Sequence, residues 1–378
     1  MKIVFTGGGS GGHVYPLIAI AERFNELLER EKIVQAQLYF FSDTPYDKSA
    51  LFENRIEYVY IPAGKLRIYF SLKNILSIFQ TGFGVLMALL RLYAIYPDVV
   101  VGKGGYASFP TLLAARILRI PIIIHESDTV PGRANKKTGK FADRIALSYP
   151  EAAAYFPQEK VAVTGQPIRR QIEIPAKDGV FEFYKLDPTV PVILVLGGSQ
   201  GAEIVNGAVI NALPELLKEY QVIHQVGVKN LESSKAMAEI VMGESRNLLL
   251  ERYRPVGFLN LLGERMASGA CSIIISRAGS AIFEIATWHK PSIIIPITQS
   301  NGDHQRTNAY SYARSGACVV IEEANLNTSL LVHEVHTILK DEARKTKMIE
   351  SAKHFVGESD AALTIAQEVL NLALSHEK

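Results

Sequence analysis

Residues 2–13 read KIVFTGGGSGGH, and residues 14–29 continue as VYPLIAIAERFNELLE. Lys2–Thr6 is a short apolar run that predicts a strand, the glycines predict a tight turn, and the 3–4 spacing of apolar residues over 14–29 predicts a helix. Gly7, Gly9 and Gly12 satisfy GxGxxG. Glycines let backbone N–H groups approach an anion closely, and a helix N-terminus adds its positive end. His13 stands where the helix begins, where an imidazole serves as a general base, a phosphate contact, or merely a packing or capping group. Taken alone the pattern is a weak signal. Asp43, after the second predicted strand, would even suit the ribose-binding acid of a dinucleotide site, and a turn without a ligand reads equally well.

The same strand-glycine-helix grammar recurs outward from this point. Asp98–Val101 is a buried-strand pattern ending in GKGGYAS (102–108), and Val192–Leu196 is another ending in GGSQGA (197–202). Further strands are predicted at Ala36–Phe41, Tyr58–Ile61, Pro121–His125, Arg144–Ser148 and Val161–Thr164. In the second half they fall at Gln221–Gln225, Ser272–Ser276, Ser292–Pro296 and Val319–Ile321, with a helical end from about Leu330 to Leu374. Strands alternating with helices imply parallel sheets covered on both faces. Residues 165–191 break the alternation with Gly165, Pro167, Pro175, Gly179, Pro188 and Pro191, so a domain junction is expected there. The fold class is α/β: two Rossmann-like, doubly wound parallel-sheet domains, expected to face a central cleft lined by glycine-rich turns beyond the strands' carboxyl ends.

Composition narrows the function. The 378 residues are 48% hydrophobic and 21% charged, enough to bury sizeable cores. Two cysteines, Cys271 and Cys318, do not make a disulfide framework, and a reducing cytosol fits them. A net charge of +2 excludes a nucleic-acid binder that relies on bulk charge. Residues 1–166 hold 19 Lys+Arg against 14 Asp+Glu, and residues 167–378 hold 21 against 24, so the first half is mildly basic and the second mildly acidic. The N-terminal apolar run is too short for a secretory signal. Residues 74–90 carry no charge, but only 11 of the 17 are apolar, which reads as too short and too polar to span a bilayer, so the chain is expected to be soluble.

Three more clusters carry chemistry. His125-Glu126-Ser127-Asp128 ends an apolar strand and suits general-base work or sugar hydroxyls, or else a set of buried structural hydrogen bonds. Arg277-Ala278-Gly279-Ser280 ends another, with Glu284 placed to accept from a ribose, and Asp303, His304 and Gln305 open a further helix. Over residues 64–96, Lys65, Arg67, Lys73 and Arg91 flank Leu66, Ile68, Tyr69, Phe70, Phe79 and Phe83. That mixture suits an anionic membrane surface, although a core helix after a loop reads the same way.

In order and spacing, GGGSGGHVYP, PDVVVGKGGYAS, IPIIIHE, TGQPIR, GGSQGA, HQVG, SRAG with a downstream Glu, and DHQ..NA resemble the MurG family of bacterial glycosyltransferases (glycosyltransferase family 28), from residue 3 to about residue 360. The resemblance implies the GT-B fold, UDP-N-acetylglucosamine as donor, and lipid I, bound at the cytoplasmic face of the cell membrane, as the acceptor converted to lipid II. It implies a peripheral membrane protein with no cofactor and no metal. It also implies an N-terminal acceptor domain over 1–166, a UDP-sugar domain over 167–356, and a C-terminal helix, about 357–378, packed back on the first.

Carried over by motif, the acceptor wall falls on Ser10, Gly11, Gly12, His13, Tyr106, His125, Glu126 and Asp128, with His13 as the base and Glu126 second. The nucleotide-sugar residues fall on Arg169, Ser199, Gln200, Leu259, Ser280, Ala281, Glu284 and Gln305. Leu259 would offer backbone groups to uracil, Glu284 would hold the ribose, Gln305 the sugar, and the loop of Ser199 the diphosphate. The chain departs from the family in three places. Ser127-Asp128 stands for the usual Gln-Asn, the segment between RAG and Glu284 is one residue shorter and lacks a Thr, and Ser10 replaces Thr. Other readings are another GT-B glycosyltransferase or a UDP-sugar epimerase, an NAD-dependent oxidoreductase resting on Asp43, and a non-catalytic UDP-sugar-binding protein.

Overall fold

The computed structural model describes all residues except 34–35, 66–70, 199–200, 299–302, 358 and 377–378, and at Leu72, 244–247 and His376 the backbone only. The chain divides into two compact units, Met1–Arg169 with Glu358–Lys378, and Arg170–Gly357.

The first unit is built on seven strands: β1 Lys2–Thr6, β2 Gln37–Ser42, β3 Ile56–Tyr60, β4 Val99–Gly102, β5 Ile122–Glu126, β6 Arg144–Leu147 and β7 Val161–Val163. They pair in parallel in the order β3-β2-β1-β4-β5-β6-β7. The central strands are Val/Ile-rich and buried throughout, as a sheet covered on both faces requires. The order reverses direction between β1 and β4, and the register sets Thr6 level with Phe41 on one side and Gly102 on the other. The first two glycine loops therefore leave the sheet side by side at this switch point.

The helix Gly11–Arg30 packs its Leu17, Phe24 and Leu27 face on Ile3 and Phe5. The helix Ala361–His376 closes the same cluster with Ile365, Val369 and Leu370. Arg23 Nε lies 2.7 Å from Asp360 Oδ2, just before that helix, and Arg144 Nε 2.7 Å from Glu368 Oε1, at its middle.

The helix Leu72–Ile95 is amphipathic in an inverted sense. Its buried stripe is made of small residues for the most part: Ser77, Gly84, Ala88 and then Leu92. The loop after β3 crosses it so closely that a Cβ on Gly84 would stand 1.9 Å from the Pro62 carbonyl oxygen. A second stripe at the same 3–4 spacing, Leu76, Phe79, Phe83, Leu86, Leu90 and Tyr93, is exposed, Phe79 by 72%. The sequence reading of residues 74–90 as too short for a bilayer is corrected here. The helix is 24 residues long, because it continues past Arg91 to Ile95, and by length and composition it is able to cross a membrane.

The second unit carries β8 Val192–Leu196, β9 Gln221–Gln225, β10 Tyr253–Val256, β11 Ile273–Ser276, β12 Ser292–Ile294 and β13 Cys318–Val320. These pair in parallel in the order β10-β9-β8-β11-β12-β13, with the switch point between β8 and β11. β10 escapes the sequence reading because Arg254 and Pro255 interrupt its apolar pattern, which an edge strand tolerates.

Candidate active site

In the first unit the site grows from the two neighbouring glycine loops. Gly9 has φ +89°, and a Cβ there would meet the Tyr106 ring at 3.2 Å. Gly105 has φ +77° and lies against the His13 ring, where a Cβ would stand 3.1 Å from Cδ2 and 2.5 Å from the Gly8 carbonyl oxygen. Both positions need glycine for conformation and for space. His13 is half-buried in the first turn of a 20-residue helix that has no acidic residue in that turn, so the helix's positive end is uncompensated there. Ser10 is the extended N-cap residue and makes no side-chain cap bond. Tyr106 donates its hydroxyl to Asp43 Oδ2 at 2.6 Å, and burial together with this bond pushes its pKa up to about 12. The phenol is a neutral positioning group at ordinary pH.

At the end of β5 the side chains are committed to structure. His125 is fully buried. Its Nε2 lies 3.0 Å from the Gly165 carbonyl oxygen, which makes Nε2 the protonated nitrogen. Burial first, then the Lys103 charge, holds its pKa well below the ordinary value, so the ring is neutral. Glu126 accepts from Asp128 N at 3.0 Å through Oε1, and from Gly132 N and Asn135 Nδ2, both at 3.0 Å, through Oε2. Burial and the Asp128 charge raise its pKa. Its carboxylate thus organises the loop that starts the helix Arg133–Thr138. Arg169 stacks on the Tyr15 ring, its guanidinium carbon 3.9 Å from the centroid.

Lys103 carried no role in the sequence reading, which took GKGGYAS only as a glycine turn. It is instead 2% exposed, with its Nζ donating to Ser127 Oγ. Burial pulls its pKa down to about 8, against the opposing pull of Glu126 and Asp128. A charge-compensated partner set on the neighbouring strand, Glu126 and Asp128, is the only sequence signal that points to it.

In the second unit the loop after β8 reaches the helix Glu203–Glu219; Ser199 and Gln200 lie outside the described residues. A Cβ on Gly201 (φ +78°) would stand 2.1 Å from the Val226 carbonyl oxygen, so this loop is pressed onto the end of β9. Asn206 holds that end in place. Its Nδ2 donates to Val226 O at 2.9 Å, and its Oδ1 accepts from His224 Nε2 at 3.1 Å. His224 Nδ1 in turn accepts from the Tyr253 hydroxyl at 3.0 Å, and burial drives the ring's pKa down to about 3. His224 is a neutral structural link.

After β11, Ser280 opens the helix Ala281–Thr287, which carries Ala281 and Glu284 in its first turn. Arg277 binds Glu323 Oε1 at 2.6 Å and the Ile295 carbonyl oxygen at 3.1 Å, tying the ends of β11, β12 and β13 together. Gln305, in the first turn of the helix His304–Arg314, accepts from Ile297 N at 3.2 Å. Leu259 is buried just before Asn260, whose Oδ1 caps the helix Leu261–Ala270 through Gly263 N at 2.8 Å. All of these follow carboxyl ends of the unit's parallel strands, on either side of the switch point between β8 and β11.

Residues 3–147 match the glycosyltransferase family 28 N-terminal domain, and residues 192–363 match the glycosyltransferase family 28 C-terminal domain. The chain belongs to glycosyltransferase family 28. That membership sets aside the oxidoreductase reading, whose acid, Asp43, is engaged by Tyr106.

Similarity to this glycosyltransferase family 28 chain runs end to end. It is 37% identical, over 97% of its length and 99% of the relative's, to the UDP-N-acetylglucosamine--N-acetylmuramyl-(pentapeptide) pyrophosphoryl-undecaprenol N-acetylglucosamine transferase 2 of Bacillus cereus. The solved structure of Acinetobacter baumannii MurG aligns with TM-score 0.69 and 22% identity over 98% of this chain and 99% of that one. The UDP-GlcNAc 2-epimerase of Neisseria meningitidis, bound to UDP-GlcNAc, aligns with TM-score 0.66 and 17% identity over 98% and 100%. These structures share the GT-B fold, which serves transferases and epimerases alike, so fold alone does not choose between them.

Proposed function

We propose that the protein transfers N-acetylglucosamine from UDP-N-acetylglucosamine to the C4 hydroxyl of the N-acetylmuramyl group of lipid I, with inversion, making lipid II. The observation that carries this reading is the full-length relationship, 37% identical over 97% of the chain, to a transferase of that name, in a chain that bears glycine loops at both switch points. That relationship favours transfer over epimerisation.

In this reaction the acceptor oxygen attacks the anomeric carbon from the face opposite UDP. The bond from that carbon to the diphosphate oxygen breaks through an oxocarbenium-like state, and the hydroxyl proton passes to a base. His13 is that base. It is half-buried beside Gly105 in the first helical turn, whereas Glu126 already accepts three N–H groups of its own loop. The departing UDP gains negative charge, which glycine-loop N–H groups and helix N-termini stabilise. In the second unit Glu284 holds the ribose, Gln305 the sugar and Leu259 the uracil by its backbone, and Ser280, Ala281 and the Ser199–Gln200 loop complete that unit's donor residues; Arg169, the last residue of the first unit's leading segment, is the remaining nucleotide-sugar residue. Ser10, Gly11, Gly12, Tyr106 and Asp128 form the acceptor wall with His13, and His125, fully buried, supports that wall from behind.

The acceptor's lipid anchor requires docking without a span. The exposed stripe of the helix Leu72–Ile95, with Lys65, Lys73 and Arg91 nearby, supplies apolar and basic contacts to the cytoplasmic membrane surface. The buried stripe on its other side makes spanning incompatible with the fold of the first unit. Residues 66–70 of the basic and apolar stretch lie outside the described residues.

Label transfer from radiolabelled UDP-N-acetylglucosamine to a short-chain lipid I analogue tests the reading, with UDP-glucose and UDP-N-acetylgalactosamine run alongside. Transfer from the first donor alone is expected. Donor binding without transfer would move the acceptor elsewhere, and conversion of the donor to its 2-epimer would establish the competing activity.

A further inference from the structure

We infer that Lys103 is a positioning residue of the acceptor wall: its buried ammonium holds the Ser127–Asp128 turn at the end of β5 and neutralises the two carboxylates that flank Ser127. The inference deepens the acceptor reading above and rests on it.

Lys103 follows β4 directly, and its backbone N–H donates to the Thr6 carbonyl oxygen at 3.0 Å, which pins it to the end of β1. Its stem runs beneath the first glycine loop, where a Cβ on Gly7 would stand 3.5 Å from the Lys103 Cβ. From there the ammonium crosses to β5's exit and donates to Ser127 Oγ. The proton of Ser127 goes on to Gln166 Oε1 at 2.9 Å, an oxygen that also accepts from Ser148 Oγ at 2.9 Å. An ammonium only donates, so the direction of this chain is set from the lysine outward.

A cation buried in this way needs compensating charge, since desolvation disfavours it strongly. Glu126 and Asp128 stand on either side of the residue it touches, and both act to keep its proton in place. The dependence is mutual. Glu126 is oriented by three N–H groups and does not need the lysine for direction, but the Asp128 charge disfavours its carboxylate and the Lys103 charge acts against that repulsion. Asp128, the half-exposed member, is the one offered to a sugar hydroxyl, and its place is set through Ser127. Lys103 itself is buried and reaches no substrate. Its effect is to hold a hydroxyl-binding turn level with the two glycine loops, tying the ends of β1, β4 and β5 into one surface.

The test is a comparison of kinetic constants for Lys103→Met, which keeps an unbranched stem as far as Cε and removes charge and donor. The KM for the lipid I analogue is expected to rise at least tenfold. The KM for UDP-N-acetylglucosamine and the calorimetric affinity for UDP, both set in the other unit, should stay within twofold. Adding Asp128→Asn to Lys103→Met removes the one of the two uncompensated charges that is offered to the acceptor, so the double variant is expected to lie within threefold of Asp128→Asn alone. An unchanged acceptor KM in a UDP-binding variant overturns the inference, as do equal rises for donor and acceptor, or additive effects in the pair. Ser127→Ala reads the same contact should Lys103→Met fail to fold: a threefold or larger rise in acceptor KM supports the role, and no rise overturns it. If the wild-type protein transfers nothing to the lipid I analogue, the acceptor reading falls and this inference with it. If the wild type transfers but Lys103→Met keeps its acceptor KM, only this inference falls.

Discussion

His13 and Glu126 entered as rival bases, and their surroundings separate them. Glu126 has both oxygens turned into its own loop, while His13 borders the two glycine loops. A positioned base contributes roughly 10²–10⁴-fold to rate. His13→Ala is therefore expected to lower kcat by about that factor while leaving UDP affinity unchanged, and Glu284→Ala to raise the donor KM with a smaller effect on kcat. Steady-state kinetics with calorimetric UDP binding distinguishes the two patterns, and near-normal turnover in His13→Ala would remove it from the role of base. Lys103 gives a second expectation. Its pKa of about 8 lies below the ordinary 10.5, so between these values the unfolded chain binds more protons than the folded one. Stability from this group is then fully present above pH 10.5 and is lost as pH falls through about 8. Relative to Lys103→Met, the wild type should gain up to about 3 kcal/mol between pH 8 and 10.5 in denaturant titrations. His125, which feels the same ammonium, is held neutral by burial and by that charge and adds no proton change in that window. A flat difference would mean that Lys103 is solvated.

Among the elements, the helix Leu72–Ile95 is the one whose character sequence patterning leaves undecided. Two apolar stripes compete for the interior, and the loop after β3 selects the one with small residues because Gly84 admits an approach that a Cβ would block. Gly84→Ala is expected to destabilise the protein by about 1–3 kcal/mol, since its Cβ would collide with the Pro62 carbonyl. Gly82→Ala, which meets nothing within 4 Å, should stabilise by up to about 1 kcal/mol through helix propensity. Thermal unfolding of the pair checks both signs. The outward stripe carries the docking prediction. Phe79→Glu should weaken binding to vesicles containing anionic lipid while leaving transfer to a soluble acceptor analogue intact, as read by flotation and by the transfer assay. Equal loss of both would assign Phe79 a structural role.

At the scale of the molecule, the first unit is assembled from chain segments almost 200 residues apart. Ile365, Val369 and Leu370 fill the cluster formed by Ile3, Leu17 and Phe24, and the Arg23–Asp360 and Arg144–Glu368 pairs tie the helix down at its start and its middle. Ending the chain before Asp360 uncovers this face. Each large apolar side chain lost from a core of this kind is worth about 2–5 kcal/mol. The truncated protein is expected to lose the cooperative unfolding of the first unit, seen in calorimetry as a missing transition, while the second unit still binds UDP. A truncated chain with both transitions intact would show that the terminal helix contributes nothing to the first unit's core.

The α/β class, the strand-glycine-helix repeat, the position of most strands and the family were all readable in the sequence, because period-two and period-3.6 patterns and glycine turns are local. β10 was not readable, since Arg254 and Pro255 break its pattern and only pairing with β9 makes it a strand. The candidate site divides along the same line. GGGSGGH, GKGGYAS, HES and RAGS marked the loops, but nothing local told which side chains of those loops turn inward. His125 and Glu126 looked like chemistry, and the tertiary structure buries both in hydrogen bonds. Lys103 drew no reading of its own, and only the approach of β5 to β4 brings Ser127, Glu126 and Asp128 around it. Local patterns determine which elements form. Which charges are buried, which of two apolar stripes meets the core, and which terminal helix closes the first sheet depend on residues distant in the chain, and only the folded packing decides them.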